Sequence, residues 1–465
     1  MFQNELTITL EDKQIPLSRK TRYIIFSLLL TLSFAQSMDQ GAVSGCTKEI
    51  KEHFQIEDLS LGTLGSIVFI GNTLGCIITF GLINRIHRKI LLIGSTLILA
   101  GTYVIIAQVK YFIIVLIARF ISGMMQSFAG IYSPVWCDQF GIYKNRSLFL
   151  AMFHISTPFG YFAGYIIGMM VSWQFAYYIS IVLLIVHALV FLLFDNDFFS
   201  ATLMPMKRNL TVERKDDDNV SMFEEVASVE DKNMFSSLCK EFLACLKSIK
   251  FVLLNITLIF IYFVVSGIQF WINDYLEYSL YIEKKEVRLY LFAGVVATSP
   301  ILGIVLGGVI VKAIFGGYEH KNAILAPLIF ALMVTLTANF VVISSSVVIS
   351  LVSLWIYLFF GSMTLPGLNG MVLCSVAKEF SGNASALSTF LYNVLGKFPA
   401  PNVYGFIKGQ TQGMFNGKVP MVVLLNSAVF GLIALVVEAL RGYKKENKTE
   451  ETNQLNEETI NSNTE

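Results

Sequence analysis

Twelve long apolar runs divide this sequence and constrain its fold more than any other feature. Each run has about 20 residues or more, the length a helix needs to cross the hydrocarbon core of a membrane. A helix also satisfies every backbone polar group internally, so these runs predict membrane-spanning helices. Six runs precede a long polar stretch and six follow it. The runs are Tyr23–Gly45, Leu61–Ile83, Ile90–Gln108, Phe112–Trp136, Leu148–Val171, Trp173–Phe194, Phe251–Ile272, Leu289–Ile314, Ala323–Ile343, Val347–Leu373, Ala384–Ile407 and Val419–Leu440.

Composition supports the same class of protein. Hydrophobic residues make up 55% of the 465 positions and charged residues only 14%, whereas soluble domains carry about 25% charged residues. The formal net charge of +1 leaves no basic excess that could hold a nucleic acid. The six cysteines and five histidines are scattered, without the spacing of metal ligands. We therefore expect neither a metal site nor a cofactor.

The polar stretch between the sixth and seventh runs divides the chain into two halves. We predict a cytosolic segment at residues 1–22, a six-helix bundle at 23–194, a cytosolic linker with an amphipathic helix at 195–250, a second bundle at 251–440, and a disordered cytosolic tail at 441–465. The lysines and arginines of short loops concentrate on one side, which predicts cytosolic termini. Two six-helix halves joined in this way are typical of secondary transporters.

Asp39 and Arg119 are the charged residues that stand out inside the apolar runs of the first half. A charge at membrane depth costs roughly 2.5–3.5 kcal/mol, so it normally faces a cavity or a partner of opposite charge. We expect Asp39 to pair with Arg119 or to carry a proton, and Gln126, two helical turns beyond Arg119, to extend the polar lining. The alternative is that Asp39 and Arg119 reach water at the two interfaces.

The fifth run contains a ridge of glycines at helical spacing. Gly160, Gly164 and Gly168 recur every four residues and would allow another helix to approach closely, while Pro158 supplies a kink point. Two interpretations remain open, a fixed packing surface and a face that shifts during alternating access.

Four polar residues in the second half are candidates for a cavity lining. Trp271, Asn273 and Asp274 end the seventh run, and Lys397 lies inside the eleventh. Lys397 fits a cavity and an interfacial position equally well.

Several short motifs resemble those of the major facilitator superfamily. Gly81–Lys89 resembles its loop signature, Arg119 with Gly123 resembles its fourth-helix motif, and Pro158–Gly168 is similar to its fifth-helix glycine motif. The resemblance implies an all-α integral membrane protein with twelve transmembrane helices in two halves. It also implies a cytosolic gate formed by Gly81, Asn84, Arg85, Arg88, Lys89 and Asp138.

Within that superfamily the chain most resembles the Spinster-like transporters. Met38–Gln40 followed by Lys48–Ile56 resembles their opening segment, and Leu395–Gly405 resembles their eleventh helix. The resemblance extends roughly from Arg22 to Ile407. It implies a proton-linked or facilitative carrier of lysophospholipids or sphingoid lipids in an endolysosomal or plasma membrane, with Asp39 and Arg119 in its proton- and substrate-sensing cluster.

Three residues depart from the pattern of these relatives. Gln126 stands where a glutamate is common, Gln40 replaces an arginine, and Asn84 replaces the loop aspartate, so that Asp138 is left to pair with Arg85. These departures put proton coupling in question and leave the fold unaffected.

The sequence therefore predicts a monomeric transporter that moves a small organic solute or lipid by alternating access. A carrier of a polar solute such as a sugar, an amino acid or an organic anion is the first alternative, and a non-transporting receptor or scaffold is the second. We do not expect an enzyme, because the apolar runs contain neither a Gly-x-Ser-x-Gly elbow nor paired carboxylates at helical spacing.

Overall fold

The computed structural model describes residues 19–82, 86–140, 146–199, 242–243, 245–315, 317, 320–344, 346–376, 381–411 and 414–444. These residues form helices and connecting turns, with no strand among them. The helices are α1 Arg19–Gly45, α2 Thr47–Phe54, α3 Asp58–Leu82, α4 Arg88–Gln108, α5 Phe112–Phe140, α6 Arg146–Met170, α7 Trp173–Leu192, α8 Ile249–Asp274, α9 Lys285–Phe292, α10 Thr298–Phe315, α11 Leu325–Ile343, α12 Val347–Cys374, α13 Ser381–Leu391, α14 Pro399–Gln410 and α15 Val419–Asn426.

Nine helical stretches in the described part of the chain are long and apolar enough to cross a membrane. They correspond to nine of the twelve predicted spans. The other three predicted spans coincide with α1, α6 and the α13–α14 pair. The all-helical membrane fold is therefore confirmed, and the count of twelve spans stays a prediction.

The helices pair in the same order in two sets, which we call the first set (α1–α7) and the second set (α8–α15). In the first set, α1 packs mainly on α6, α3 on α5, and α4 on α7. In the second set, α8 packs on the segment that follows α13, α10 on α12, and α11 on both α12 and α15. The described helices thus pair in the same order in each set.

The bounds of the terminal helices differ slightly from those expected. Helix α1 begins at Arg19, before the end of the predicted N-terminal segment, and the last span continues to Lys444, into the predicted tail. Helical hydrogen bonding continues beyond the apolar residues in both places. The predicted interfacial helix before α8 lies partly outside the described residues, since only residues 242–243 and 245–247 of it are described as helical.

Helices α1 and α6 approach each other through glycines on both sides. The position that a Cβ atom on Gly164 would occupy overlaps the backbone carbonyl of Met38, and one on Gly160 would overlap that of Phe34. The contact loosens toward Gly168, where a Cβ atom would lie 3.1 Å from the Ala42 carbonyl oxygen. The predicted ridge therefore lies directly against α1, the helix that carries Asp39. The role of Pro158 as a kink point stays a prediction, since α6 continues through it.

Candidate functional site

Asp39 lies on α1 in the middle of the first set, and its side chain is buried. One carboxylate oxygen accepts hydrogen bonds from Arg119 Nη1 at 2.5 Å and from the Tyr177 hydroxyl at 2.9 Å. The other accepts from Gln126 Nε2 at 3.1 Å and lies 3.4 Å from the Tyr103 hydroxyl. Groups from α4, α5 and α7 therefore converge on this carboxylate.

Arg119 is as deeply buried as its partner, with 1% of its surface exposed. Nη1 also donates to the Tyr177 hydroxyl at 2.7 Å, whereas Nε has no hydrogen-bond partner. A buried charge is tolerated when an opposite charge neutralises it, so the pair removes most of the cost of placing two ions among apolar helices. The unpartnered Nε leaves the guanidinium one donor that another group could use.

The structure thus brings together the three residues singled out for transport, Asp39, Arg119 and Gln126. Sequence reasoning missed Tyr103 and Tyr177, which complete the cluster. The signal in the sequence was weak, because tyrosine is common in apolar helices. A tyrosine hydroxyl group needs a hydrogen-bond partner only where it is buried, and the sequence does not show which tyrosines are buried.

Arg119 also borders the seam between the two sets. A void of about 20 Å³, room for about one water molecule, lies between Gln40, Arg119 and Tyr161 of the first set and Gln269 of the second. The Tyr161 hydroxyl donates to the Gln269 backbone carbonyl at 2.5 Å across this seam. The buried ion pair is therefore placed where movement of one set against the other would change its surroundings.

A larger cavity of about 440 Å³ lies on the second-set side of the same seam. It is within the range of about 300–1,000 Å³ found for small-molecule sites. Helices α8, α10, α11 and α12 and the helical segment after α15 supply mostly apolar side chains, and Thr157 and Pro158 of α6 contribute from the first set. Lys397 is the charged residue of its lining, and Gln269 lines both this cavity and the small void. The arrangement suits a solute that is mostly apolar.

Ion pairs join the two sets at the end of the bundle where α1 ends and α3 begins, which we call the closed end. Lys408 of α14 lies 2.5 Å from Asp274 and 3.5 Å from Asp58, which also accepts a hydrogen bond from Lys51 at 2.7 Å. The Lys408 ammonium group also lies 5.0 Å from the centre of the Trp271 ring. One lysine thus bridges a carboxylate from each set.

Two further ion pairs cross the seam at the closed end. Lys48 lies 3.4 Å from Glu277, and Lys285 lies 2.6 Å from Glu49. Tyr278 and Glu277 raise the pKa of Lys48 above its usual value. Each exposed pair contributes little alone, about 0–1 kcal/mol.

Backbone and amide contacts reinforce the same end. Asn273 donates to the Gly45 carbonyl at 3.1 Å, and the Asn402 side chain contacts both Thr63 and Ser66. Among the described residues, the hydrogen bonds and ion pairs that join the sets lie between the closed end and the level of Tyr161. The two sets are therefore joined at this end of the bundle, around a cavity of about 650 Å³ that Lys48, Asp58 and Lys408 help to line.

Three of the four cavity candidates of the second half belong to this closed end. Asp274 pairs with Lys408, Asn273 also accepts a hydrogen bond from Arg288 Nε at 3.0 Å, and Trp271 donates its indole N–H to the Pro401 carbonyl. Only Lys397 lines the apolar cavity.

The predicted gate motif is described only in part. Gly81 lies in the last turn of α3, and Arg88 begins α4. Lys89 Nζ donates to the carbonyl groups of Leu192, the last residue of α7, and of Phe194 just beyond it. Asn84 and Arg85 lie outside the described residues, and so does the side chain of Asp138, which belongs to α5. The predicted pairing of Arg85 with Asp138 therefore stays a prediction.

A helical membrane bundle of two similarly paired sets is the architecture of secondary transporters. The Major Facilitator Superfamily model matches residues 29–401. The chain belongs to that superfamily, so it is a transporter and not an enzyme.

Its relatives include Spinster proteins. Spinster homolog 1 of Xenopus tropicalis is 26% identical over 426 residues, which cover 85% of this chain and 74% of the relative. The sphingosine-1-phosphate transporter SPNS2 of the same organism is 22% identical over 402 residues, 81% of this chain and 71% of the relative. The resemblance to the Spinster-like transporters is thereby confirmed.

Solved structures show the same fold. A bacterial homolog of the human lysosomal transporter Spinster, inward-facing and unoccupied, superposes with a TM-score of 0.65 at 14% identity, over 92% of this chain and 98% of the other. A D-xylose–proton symporter superposes with a TM-score of 0.63 at 14% identity, over 91% of this chain and 97% of the symporter.

Proposed function

We propose that this transporter carries a single-tailed lipid, a lysolipid or a sphingoid lipid, across the membrane by alternating access. The observation that carries the proposal is the apolar cavity of about 440 Å³ at the seam, close to a buried ion pair. An apolar lining stabilises a hydrocarbon tail by roughly 0.8 kcal/mol per buried CH₂ group. Each sugar hydroxyl group that found no partner among these mostly apolar side chains would cost about 1–3 kcal/mol.

Alternating access requires that the closed end opens while the other end closes. The ion pairs and amide contacts of the closed end hold the sets together in the present conformation. The loop cations favour a cytosolic position for the opposite end and for both termini. In this proposal the closed end faces the extracellular space or the lumen of an endolysosomal compartment, and the cavity is reached from the cytosolic side.

Asp39 is the residue that we propose couples a proton to this cycle. A proton on Asp39 would remove the charge that holds Arg119, whose Nε already lacks a partner. The freed guanidinium would then be available to a polar head group at the seam. Gln126 hydrogen-bonds the carboxylate without carrying a proton, so the coupling depends on Asp39 alone within this cluster.

Counterflow in proteoliposomes tests the substrate class. Vesicles loaded with an unlabelled lysolipid or sphingoid lipid should take up the labelled compound faster than empty vesicles, while vesicles loaded with xylose, an amino acid or an organic anion should not. Exchange of the polar solutes alone would establish the polar-solute alternative. A properly folded protein that exchanges none of these compounds would favour a receptor or scaffold.

A further inference from the structure

Lys397 occupies an irregular part of the second set. It ends a π-helical segment, Tyr392–Lys397, and Pro399, two residues later, has no N–H to donate to the helical pattern. The Ser266 hydroxyl of α8 donates to the Lys397 carbonyl at 3.0 Å and anchors the irregular backbone. Such π-helical insertions occur frequently at functional sites.

Aromatic rings surround the Lys397 ammonium group. Its nitrogen lies 4.9 Å from the ring centre of Tyr262, 5.1 Å from that of Tyr392 and 5.6 Å from that of Phe69. Tyr262 and Tyr392 belong to the second set and stack on each other, whereas Phe69 belongs to α3 of the first set. Cation–π contacts stabilise a charge by about 0.5–2 kcal/mol and leave it unneutralised.

The buried carboxylates of the described residues all have other cations. Asp39 pairs with Arg119, and Asp58 and Asp274 share Lys408. Glu438 pairs with Arg441 at 3.1 Å. Within the described part of the chain, no carboxylate forms an ion pair with Lys397.

The groups that face Lys397 from neighbouring elements are uncharged. Tyr262 and Ser266 come from α8, and Phe69 comes from α3. On the remaining side lies the apolar cavity, whose lining contains Lys397 as its one charged residue among those described. The site thus combines an unneutralised cation with a surface for a hydrocarbon chain.

We propose that Lys397 binds the anionic head group of the transported lipid, a phosphate or a carboxylate, while the single apolar tail occupies the cavity. The inference rests on the proposed function and narrows its substrate class. A cationic sphingoid base or a neutral monoacylglycerol lacks the charge that completes the site. A net anionic head neutralises Lys397 inside an apolar environment, where a charge-assisted hydrogen bond is stronger than it is in water.

Equilibrium binding to the full chain in lipid nanodiscs tests this assignment. The probes are oleoyl lysophosphatidate, oleate, oleoyl lysophosphatidylcholine, monooleoylglycerol and inorganic phosphate, each measured in competition with labelled lysophosphatidate. Lysophosphatidate should bind at least about 10-fold more tightly than monooleoylglycerol, which corresponds to about 1.4 kcal/mol. Inorganic phosphate should compete weakly, because it has no tail to fill the cavity.

Variants identify the residue responsible. Lys397→Met should weaken lysophosphatidate binding about 10-fold or more and leave monooleoylglycerol binding unchanged, and Lys397→Arg should retain the preference for the anionic lipid. Lys312→Met is the matched control, since Lys312 is exposed on α10 and is absent from the described lining of the cavity. Monooleoylglycerol binding shows that a variant is folded.

Distinct results would overturn the inference and the proposed function. Equal binding of lysophosphatidate and monooleoylglycerol, or an unchanged preference in Lys397→Met, would overturn the role of Lys397 even if lipid counterflow succeeds. Tight binding of inorganic phosphate alone would overturn the proposal that the ligand is an amphiphilic lipid and would indicate a site for a free anion. If Lys397→Met does not fold, the role of Lys397 is judged from the unmodified chain and Lys397→Arg. Both should prefer lysophosphatidate to monooleoylglycerol, and the absence of that preference would overturn the role. Failure of lipid counterflow with selective anionic binding would overturn only the proposed function.

Discussion

Replacing Gly164 by alanine should weaken the contact between α1 and α6. The added Cβ atom would overlap the Met38 backbone carbonyl, which cannot rotate away as a side chain can. The two helices must then move apart by roughly 1 Å, and a gap of that size forfeits about a quarter to a half of each van der Waals contact that it opens. Overpacking of this kind costs about 1–3 kcal/mol.

Alanine also favours the helix itself, by up to about 1 kcal/mol relative to glycine. Gly130 on α5 and Gly101 on α4 isolate that contribution, because a Cβ atom at either position meets no described atom within 4 Å. We therefore expect Gly130→Ala and Gly101→Ala to be neutral or stabilising, and Gly164→Ala to be destabilising by about 2 kcal/mol. Gly168→Ala should fall between them, since its Cβ atom would lie 3.1 Å from the Ala42 carbonyl oxygen.

Unfolding of the purified protein by sodium dodecyl sulfate in mixed micelles measures these differences, with the fluorescence of the four tryptophans as the signal. The order of stability should be Gly130→Ala, then the unmodified protein, then Gly168→Ala, then Gly164→Ala. A Gly164→Ala protein as stable as Gly130→Ala would show that α1 and α6 do not approach as closely as described.

Three further predictions address the ion pairs and the seam. Asp39→Asn and Arg119→Met should each destabilise the protein by about 3–5 kcal/mol, and the double variant should lose less than the sum of the two; additive losses in the same unfolding assay would exclude a direct pair. Lys408→Met leaves two buried carboxylates without their shared cation. The distance between spin labels placed on the two sets at the closed end should therefore increase, as measured by double electron–electron resonance. An unchanged distance distribution would contradict the role of this lysine. Trp271→Phe keeps the aromatic surface and removes one hydrogen bond to a backbone carbonyl of α14, so it should cost about 1 kcal/mol, against a larger loss for Trp271→Ala.

The parts of the structure that the sequence predicted are those required by the apolar environment of the lipid. Apolar runs of sufficient length must form helices, because lipid offers the backbone no hydrogen bonds. The pairing of Asp39 with Arg119 was predictable for a similar reason, since a charge among apolar helices requires an opposite charge. Eighty residues separate the two, yet each was the conspicuous charge of its run.

The contacts between the two sets could not be predicted from the sequence. Asp58 and Lys408 are 350 residues apart, and they meet only because the sets dock at the closed end. Asp274 was expected to line a cavity with Trp271 and Asn273. All three lie at the closed end, where Asp274 also lines a cavity of about 650 Å³ together with Asp58 and Lys408. Lys397 had two equal interpretations, because the direction in which a helical side chain faces depends on packing that periodicity does not encode.

Proton-driven uptake tests the central proposal most directly. Proteoliposomes containing the full chain should accumulate a labelled anionic lysolipid when a pH gradient is imposed across the membrane, and dissipation of the gradient should reduce the uptake to simple exchange. Asp39→Asn should retain exchange and lose the response to the gradient, because the asparagine amide cannot take up and release a proton. Uptake no greater than that of protein-free vesicles, or an Asp39→Asn variant with an unaltered response to pH, would contradict the proposal.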